Sequence, residues 1–317
     1  MKKLVSLVLA LMLCLSCVSA LAAEAWTVTC PWAPSGVAAM VNQKAASLST
    51  TYSQDYVLVA NAEKGDTATI NSWLTKYTEA DPQMCFIGEG MFGITAILDP
   101  ERMNFTYDDF EYVENLYSSI FVASARKELG LTSIDALKAY LEEGNQIMVG
   151  TNGATGSEAF LAAALIGAMG YGDQFYLIPY ESAAEAAQAV ARGEVDIAVS
   201  HQSQILETWQ QGGVDVFAAF DGEPIAQGPF KGVEGVGQYG YPYFRNRCFI
   251  FAKAGADEQK IADLKALYAQ ILTDEEMVDW LNNTMLLEAD MMTEEEVIAH
   301  IDNVKNIVEE YYDLVAE

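Results

Sequence analysis

Histidine is scarce in this chain of 317 residues: there are two, His201 and His300. Lysine and arginine are scarce as well, 17 against 45 aspartates and glutamates, for a formal charge of −28 at pH 7. Cysteine occurs five times, and its one C-x-x-C spacing, Cys14 to Cys17, falls in the apolar N-terminal stretch. Each shortage closes off a class of chemistry. A chain with so few cations does not hold a nucleic-acid backbone, whose recognition starts from neutralised phosphates. It also avoids anionic membrane surfaces and is expected to stay soluble and monomeric. No metal-ligand spacing appears, and no cofactor is implied. His201 has Ser200 and Ser203 beside it, but neighbours in sequence do not make a catalytic triad, so an exported hydrolase is a weak reading and a non-enzyme is expected.

Long apolar runs are confined to the start. Met1-Lys2-Lys3 is a basic segment, Leu4 to Leu15 is apolar, and Ala20-Leu21-Ala22 is an A-x-A site. Residues 1–22 therefore read as a signal peptide and the protein as exported, to the periplasm or the cell surface. A retained membrane anchor competes with this reading, and lipidation of Cys17 is disfavoured by the poor lipobox before it. Loss of Lys2 and Lys3 takes the charge from −28 to −30. Cys30, Cys85 and Cys248 then remain, an odd number far apart; they read as small buried hydrophobes with at most one disulfide.

The rest alternates strand-like and helix-like runs. Trp26–Trp32, Tyr56–Ala60 and Met84–Ile87 are apolar strands, each closed by a turn and the first two followed by helical periodicity. Further strands are expected at 146–149, 175–178, 195–199, 214–220 and 247–252, with helices at 132–143, 158–166 and 183–192 and a helical C-terminal region. Thr132 with Asp135, Thr273 with Glu276 and Thr293 with Glu296 have capping-box spacing. This is the pattern of parallel sheets with crossover helices. The mature length suffices for two lobes, expected at 23–124 with 229–317 and at 125–228.

The loop Gly150-Thr151-Asn152-Gly153-Ala154-Thr155-Gly156-Ser157 stands between a strand and a helix. Such a turn offers backbone N–H groups and a positive dipole end to an anion. The plainer reading is a tight turn with Thr155 or Ser157 as the N-cap. It is neither a P-loop, lacking Gly-Lys-Ser/Thr, nor a nucleophile elbow, lacking glycines on both sides of Ser157. In open α/β sheets ligands sit beyond the carboxyl ends of the strands. Here those ends carry 33–36, 61–66, 88–90, 150–157, 179–182 and 200–203. Two lobes facing each other would gather all six turns around a cleft that closes by hinge motion.

Pro31-Trp32-Ala33-Pro34-Ser35-Gly36 is similar to a Pro-Phe-x-Pro-Gly-Gly pattern, and the loop at 150–157 to Gly-Ser-x-Gly-x-Gly-Ser. Ile178-Pro179-Tyr180, then Arg192-Gly193-Glu194-Val195-Asp196, then Gly240-Tyr241-Pro242 complete the series. In this order the motifs resemble the substrate-binding receptors of tripartite tricarboxylate transporters, the TctC or Bug type, over nearly all of the mature chain. The resemblance implies a two-lobed α/β periplasmic-binding-protein fold of type II, with a mostly parallel sheet in each lobe. It implies a small organic carboxylate as ligand and a membrane permease as partner. It places the ligand grip at Ala33, Pro34, Ser35 and Gly36 and at 151–157, including Thr151, Gly153, Ala154, Thr155, Gly156 and Ser157. Trp32, Asn61, Gly88, Tyr180 and His201 are further candidates to line the cleft. Ser35 replaces a glycine, Ala39 stands where many members have an aspartate, and Gly65 falls one residue late, so the ligand subclass stays open. A binding protein of another transporter class, for an amino acid or another small solute, is the alternative; Glu89 or Asp196 would then meet the amino group. Lys64, Arg245 and Arg247 read as surface charges. Long-range repulsion is screened beyond about 8 Å, so local donors, at about 1.5–3 kcal/mol each, decide anion binding.

Overall fold

A computed structural model describes residues 23–316; the signal peptide expected at 1–22, and Cys17 within it, lie outside the described residues. Strands β1 (Glu24–Cys30), β2 (Tyr56–Ala62) and β3 (Gln83–Gly88) are parallel and joined by helices α1 (Val37–Tyr52) and α2 (Thr67–Lys76). In β1 Trp26, Val28 and Cys30 are buried, as a strand with one face on a core requires. In α1 Val41, Ala45 and Leu48, spaced for one helical face, are buried against it. Strand β4 (Phe110–Ser119) completes the sheet by way of an antiparallel strand from the far end of the chain.

At Ile120 the chain crosses into a second sheet. Strand β5 (Phe121–Arg126) is followed by α3 (Ile134–Glu142), β6 (Ile147–Asn152), α4 (Ser157–Ala168), β7 (Phe175–Tyr180), α5 (Ala183–Arg192), β8 (Ile197–His201), α6 (Gln202–Gln210) and β9 (Val214–Ala219). Strand β10 (Asn246–Lys253) then returns to the first sheet, before α7 (Glu258–Leu272) and α8 (Glu294–Ala316). The strand orders are β2-β1-β3-β10-β4 and β7-β6-β8-β5-β9. They are the same order: second, first, third, the strand that carries the chain in from the other sheet, fourth. Each carrying strand, β10 and β5, is antiparallel to both neighbours. Three connections therefore cross between lobes, at Ile120, ahead of Asn246, and along α8.

The expected lobe boundaries shift accordingly. Residues 121–124 belong to the second sheet, because β5 pairs with β8 and β9. Phe230, Val236 and Phe244, expected in the first lobe, are buried in the second lobe's core clusters. Helix α8 serves both lobes: Val297 and Ile301 pack on the first, while Val304, Ile307, Val308, Tyr311 and Val315 pack on the second around α4. Gly93 meets α8 so closely that a Cβ there would lie 2.5 Å from Val304 Cγ1. Two caps also differ by one residue: Ser133 accepts from Ala136 N, and Asp274 from Glu276 N and Met277 N, in place of the expected threonines. The Thr293–Glu296 capping box forms. Helix α6 has no counterpart among the expected elements, which place only a turn at 200–203. Cys30, Cys85 and Cys248 are buried free thiols, and no described helix is long and apolar enough to cross a membrane.

Candidate functional site

The carboxyl ends of the parallel strands of both sheets open onto one cavity of about 490 Å³. The first lobe contributes Trp32, the start of α1 (Gly36, Val37 and Ala38), Asp66, Gly88, Glu89, Gly90, Met91, Ile94, Thr95, Tyr117, Asn246 and Cys248. The second contributes Phe121, Asn152, Thr155, Gly156, Ser157, Glu158, His201 and Gln204.

In the first lobe the chain turns sharply after β1. The Pro31 carbonyl accepts from Gly65 N (3.1 Å) and Asp66 N (2.9 Å), which pins the two turns together. Gly36 N donates to Ala33 O at 2.8 Å and Gly36 caps α1 with no side-chain hydrogen bond. The first-turn N–H groups of α1 have no intrahelical partner and no acidic side chain among them, so a bare positive helix end faces the cavity. The Trp32 ring lies over Gly88, where a Cβ would stand 3.3 Å from the indole. Asp66 holds φ at 50°, a backbone state that side chains seldom adopt.

In the second lobe β6 runs on to Asn152, further than the apolar run implies. Gly153 (φ 73°) then turns the chain, with its N–H on Tyr180 O at 2.9 Å and its carbonyl accepting from Thr151 Oγ1 at 2.8 Å. Gly156 is the N-cap of α4, not Thr155 or Ser157; a Cβ there would lie 2.7 Å from Asn152 O. Ser157 instead turns its hydroxyl to Glu89 Oε1, 3.5 Å away in the other lobe. The α4 N-terminus is already covered by a carboxylate of the chain: Glu158, 5% exposed, lies beside Gly156, its Oε2 3.2 Å from the Cβ position there.

Charge in the cavity is one-sided. Asp66, Glu89 and Glu158 line it and, among the described residues, no lysine or arginine does. Glu89 is 1% exposed and accepts from Asn246 Nδ2 (2.9 Å) and Arg247 N (3.0 Å). Burial pushes its carboxyl up to about 7 despite those donors. Burial likewise pushes Glu158 up to about 7, with the nearby Glu89 charge adding to it. Asp66 is more open and stands 3.8 Å from Arg102. His201 stacks on Phe121 at 4.4 Å and shares a hydrogen bond with Ser119 Oγ at 2.8 Å; loss of water pushes its pKa down to about 4, so the ring is neutral.

Of the residues singled out in the sequence, Trp32, Gly36, Gly88, Thr155, Gly156, Ser157 and His201 line the cavity. Ala33, Pro34 and Ser35 form the turn outside it, Pro34 and Ser35 being exposed. Asn61 is tied to Glu63 Oε1 at 3.0 Å, Thr151 and Gly153 brace the loop, Ala154 is exposed, and Tyr180 packs under Gly150. Asp196 braces β6, taking Arg126 at 2.7 Å and Met148 N at 2.8 Å. Arg245 and Arg247 are not free surface charges but half-buried at the crossing, and Lys64 is exposed. Glu158 and Asn246 were missed: one reads as an ordinary acidic first turn, and the other only gains meaning where β10 enters the first sheet. Tyr117, Phe121 and Met91 carry no local signal beyond apolarity.

No protein-family model matches the sequence, and no curated protein matches it. Solved structures do. A TctC solute-binding protein from Polaromonas is 15% identical, with a TM-score of 0.75 over 90% of this chain and 98% of that one. A Rhodopseudomonas palustris protein with adipate is 16% identical, with a TM-score of 0.74 over 92% and 97%. MatC from Rhodopseudomonas palustris, with bound malate, is 17% identical, with a TM-score of 0.68 over 92% and 98%. These likenesses show the fold, a two-lobed α/β binding-protein architecture with the cavity between its lobes.

Proposed function

We propose that this chain is an extracytoplasmic solute-binding receptor of the tripartite tricarboxylate transporter type. It takes up a small carboxylate-bearing solute between its lobes, closes by hinge motion and delivers the solute to a membrane permease. The observation that carries this reading is the cavity itself, built from strand ends of both sheets, with the uncapped N-terminus of α1 as an anion site on one wall. Similarity to structures holding adipate and malate supports it. The Ser119–His201 hydrogen bond (2.8 Å) is a serine–histidine pair, but Ser119 is 1% exposed and does not line the cavity, and the Ser157 hydroxyl reaches a carboxylate only at 3.5 Å. Binding without catalysis is therefore the reading.

The test is thermal melting of the purified chain with a panel of small carboxylates, with and without amino groups. A ligand that binds only the folded form stabilises it by about 2.7 kcal/mol at a hundredfold excess over Kd. At least one carboxylate-bearing compound is expected to raise the midpoint. No shift with any of them overturns the carboxylate-receptor reading.

A further inference from the structure

We propose that the solute carries an ammonium group as well as a carboxylate, and that Glu89 and Glu158 receive the ammonium while the N-terminus of α1 receives the carboxylate. The inference rests on the receptor reading and names its ligand class: a small zwitterionic amino carboxylate.

Two carboxylates of this burial, close enough to influence each other, are costly without a cation. Neither is in a salt bridge among the described residues, and the Arg247 charge offsets only part of the cost of burying Glu89. The guanidinium of Arg247, whose backbone N–H meets Glu89, is spent on Asp290 (2.7 Å) and His300 (3.0 Å). Glu158, 5% exposed, lines the cavity with only neutral donors beside it, its own backbone N–H and the Asn152 side chain. Asp196, a buried acid that braces β6, is by contrast paired with Arg126 at 2.7 Å.

The polarity of the cavity follows. Glu158 occupies the end of α4, so the loop at 150–157 presents an acid where an anion would otherwise sit. The start of α1 has no such acid. The start of α1 is thus a positive end of the cavity and Glu89 with Glu158 a negative one, while Asp66 is turned toward Arg102 at 3.8 Å; a dicarboxylate would set its second charge against Glu89 and Glu158. Between the walls stand Trp32, Met91, Tyr117 and Phe121, which suit an uncharged side chain.

The test uses matched sets on the purified chain by calorimetry: L-leucine against 4-methylpentanoate and 3-methylbutylamine, L-phenylalanine against 3-phenylpropanoate and phenethylamine, L-glutamate against glutarate. An amino carboxylate is expected to bind at least about tenfold tighter than either partner lacking one group. Glu158→Gln and Glu89→Gln should each erase most of that preference. Near neutral pH, binding of an ammonium should release protons from the pair, seen as a dependence of the heat on buffer ionisation. This readout on the unaltered chain stands even if a variant fails to fold. Deaminated acids binding as well as the amino acids, or proton uptake on binding, overturns the inference and leaves the receptor reading intact. Amines binding as tightly as the amino acids removes the carboxylate from both. No binding in any set overturns both.

Discussion

The Ser157 hydroxyl and the Glu89 carboxylate stand 3.5 Å apart, and this contact joins the two lobes across the cavity. Glu89 directly follows β3 and Ser157 opens α4, so any separation of the sheets must part them. At the outer limit of hydrogen-bond length the contact itself does little to hold the lobes together. Ser157→Ala is therefore expected to leave stability within about 0.5 kcal/mol of the parent while weakening solute binding several-fold. Denaturation and calorimetry on the same preparation separate the two. A large loss of stability with unchanged affinity would assign Ser157 to the scaffold instead.

Gly156 is needed for space. A Cβ would stand 2.7 Å from the Asn152 carbonyl oxygen and 3.2 Å from Glu158 Oε2. Gly156→Val must push the loop off Asn152 and displace Glu158, so affinity is expected to fall by more than tenfold, about 1.4 kcal/mol or more, with a lower melting midpoint. Wild-type affinity in a folded Gly156→Val variant would show that the loop plays no part in the site.

The paired glutamates make stability depend on pH. Burial raises both from the ordinary 4.5 to about 7, so the folded state holds protons that the unfolded chain has released. Their contribution is complete below the unfolded value and is lost as pH rises through the folded one, at up to about 1.4 kcal/mol per pH unit for each group. Glu158→Gln removes one of the two. The variant should match the parent near pH 4.5 and exceed it by about 1–3 kcal/mol at pH 8. His201 and His300, both depressed by burial, act in the opposite direction but are common to the two proteins and cancel in the difference. A difference that does not grow with pH would place Glu158 in water.

Arg245 ties the crossing. It meets Asp221, just past β9 of the second lobe, and Glu288, which exchanges backbone hydrogen bonds with Ser118 of β4. Arg245→Ala leaves Asp221 mostly buried without its cation, while Glu288, 39% exposed, is partly rescued by water. We expect a loss of about 1–3 kcal/mol in chemical denaturation. Arg245→Lys should fall between, since it keeps the charge and loses the fork that reaches both acids. Equal stability of all three proteins would show the tie to be idle.

Much of the fold was legible locally. Strands β1 to β3, the alanine-rich α5 and the return strand β10 announce themselves by apolar runs between turn residues. Helix α6 was not, because Gln202–Gln210 is polar and its buried face is little more than Ile205. The division of the lobes was misread for a related reason: α8 carries one continuous apolar stripe, and nothing in its spacing says that Ile301 meets one lobe and Val304 the other. At the site, glycines and hydroxyls marked the turns, but turn chemistry does not reveal which side faces the solute. Pro34 and Ser35 sit on the outside of theirs.

The amino-acid sequence by itself determined the parallel α/β pattern, the absence of metal-ligand and nucleotide motifs, and the turns from which the cavity is built, since periodicity, propensity and composition are local properties. The tertiary structure alone decided that Glu89 and Glu158, far apart in the chain, share one cavity, and that no arginine or lysine among the described residues lines it with them. Burial and the sum of neighbouring charges depend on which strands exchange between the sheets, and that pairing is not written in any one segment of the chain.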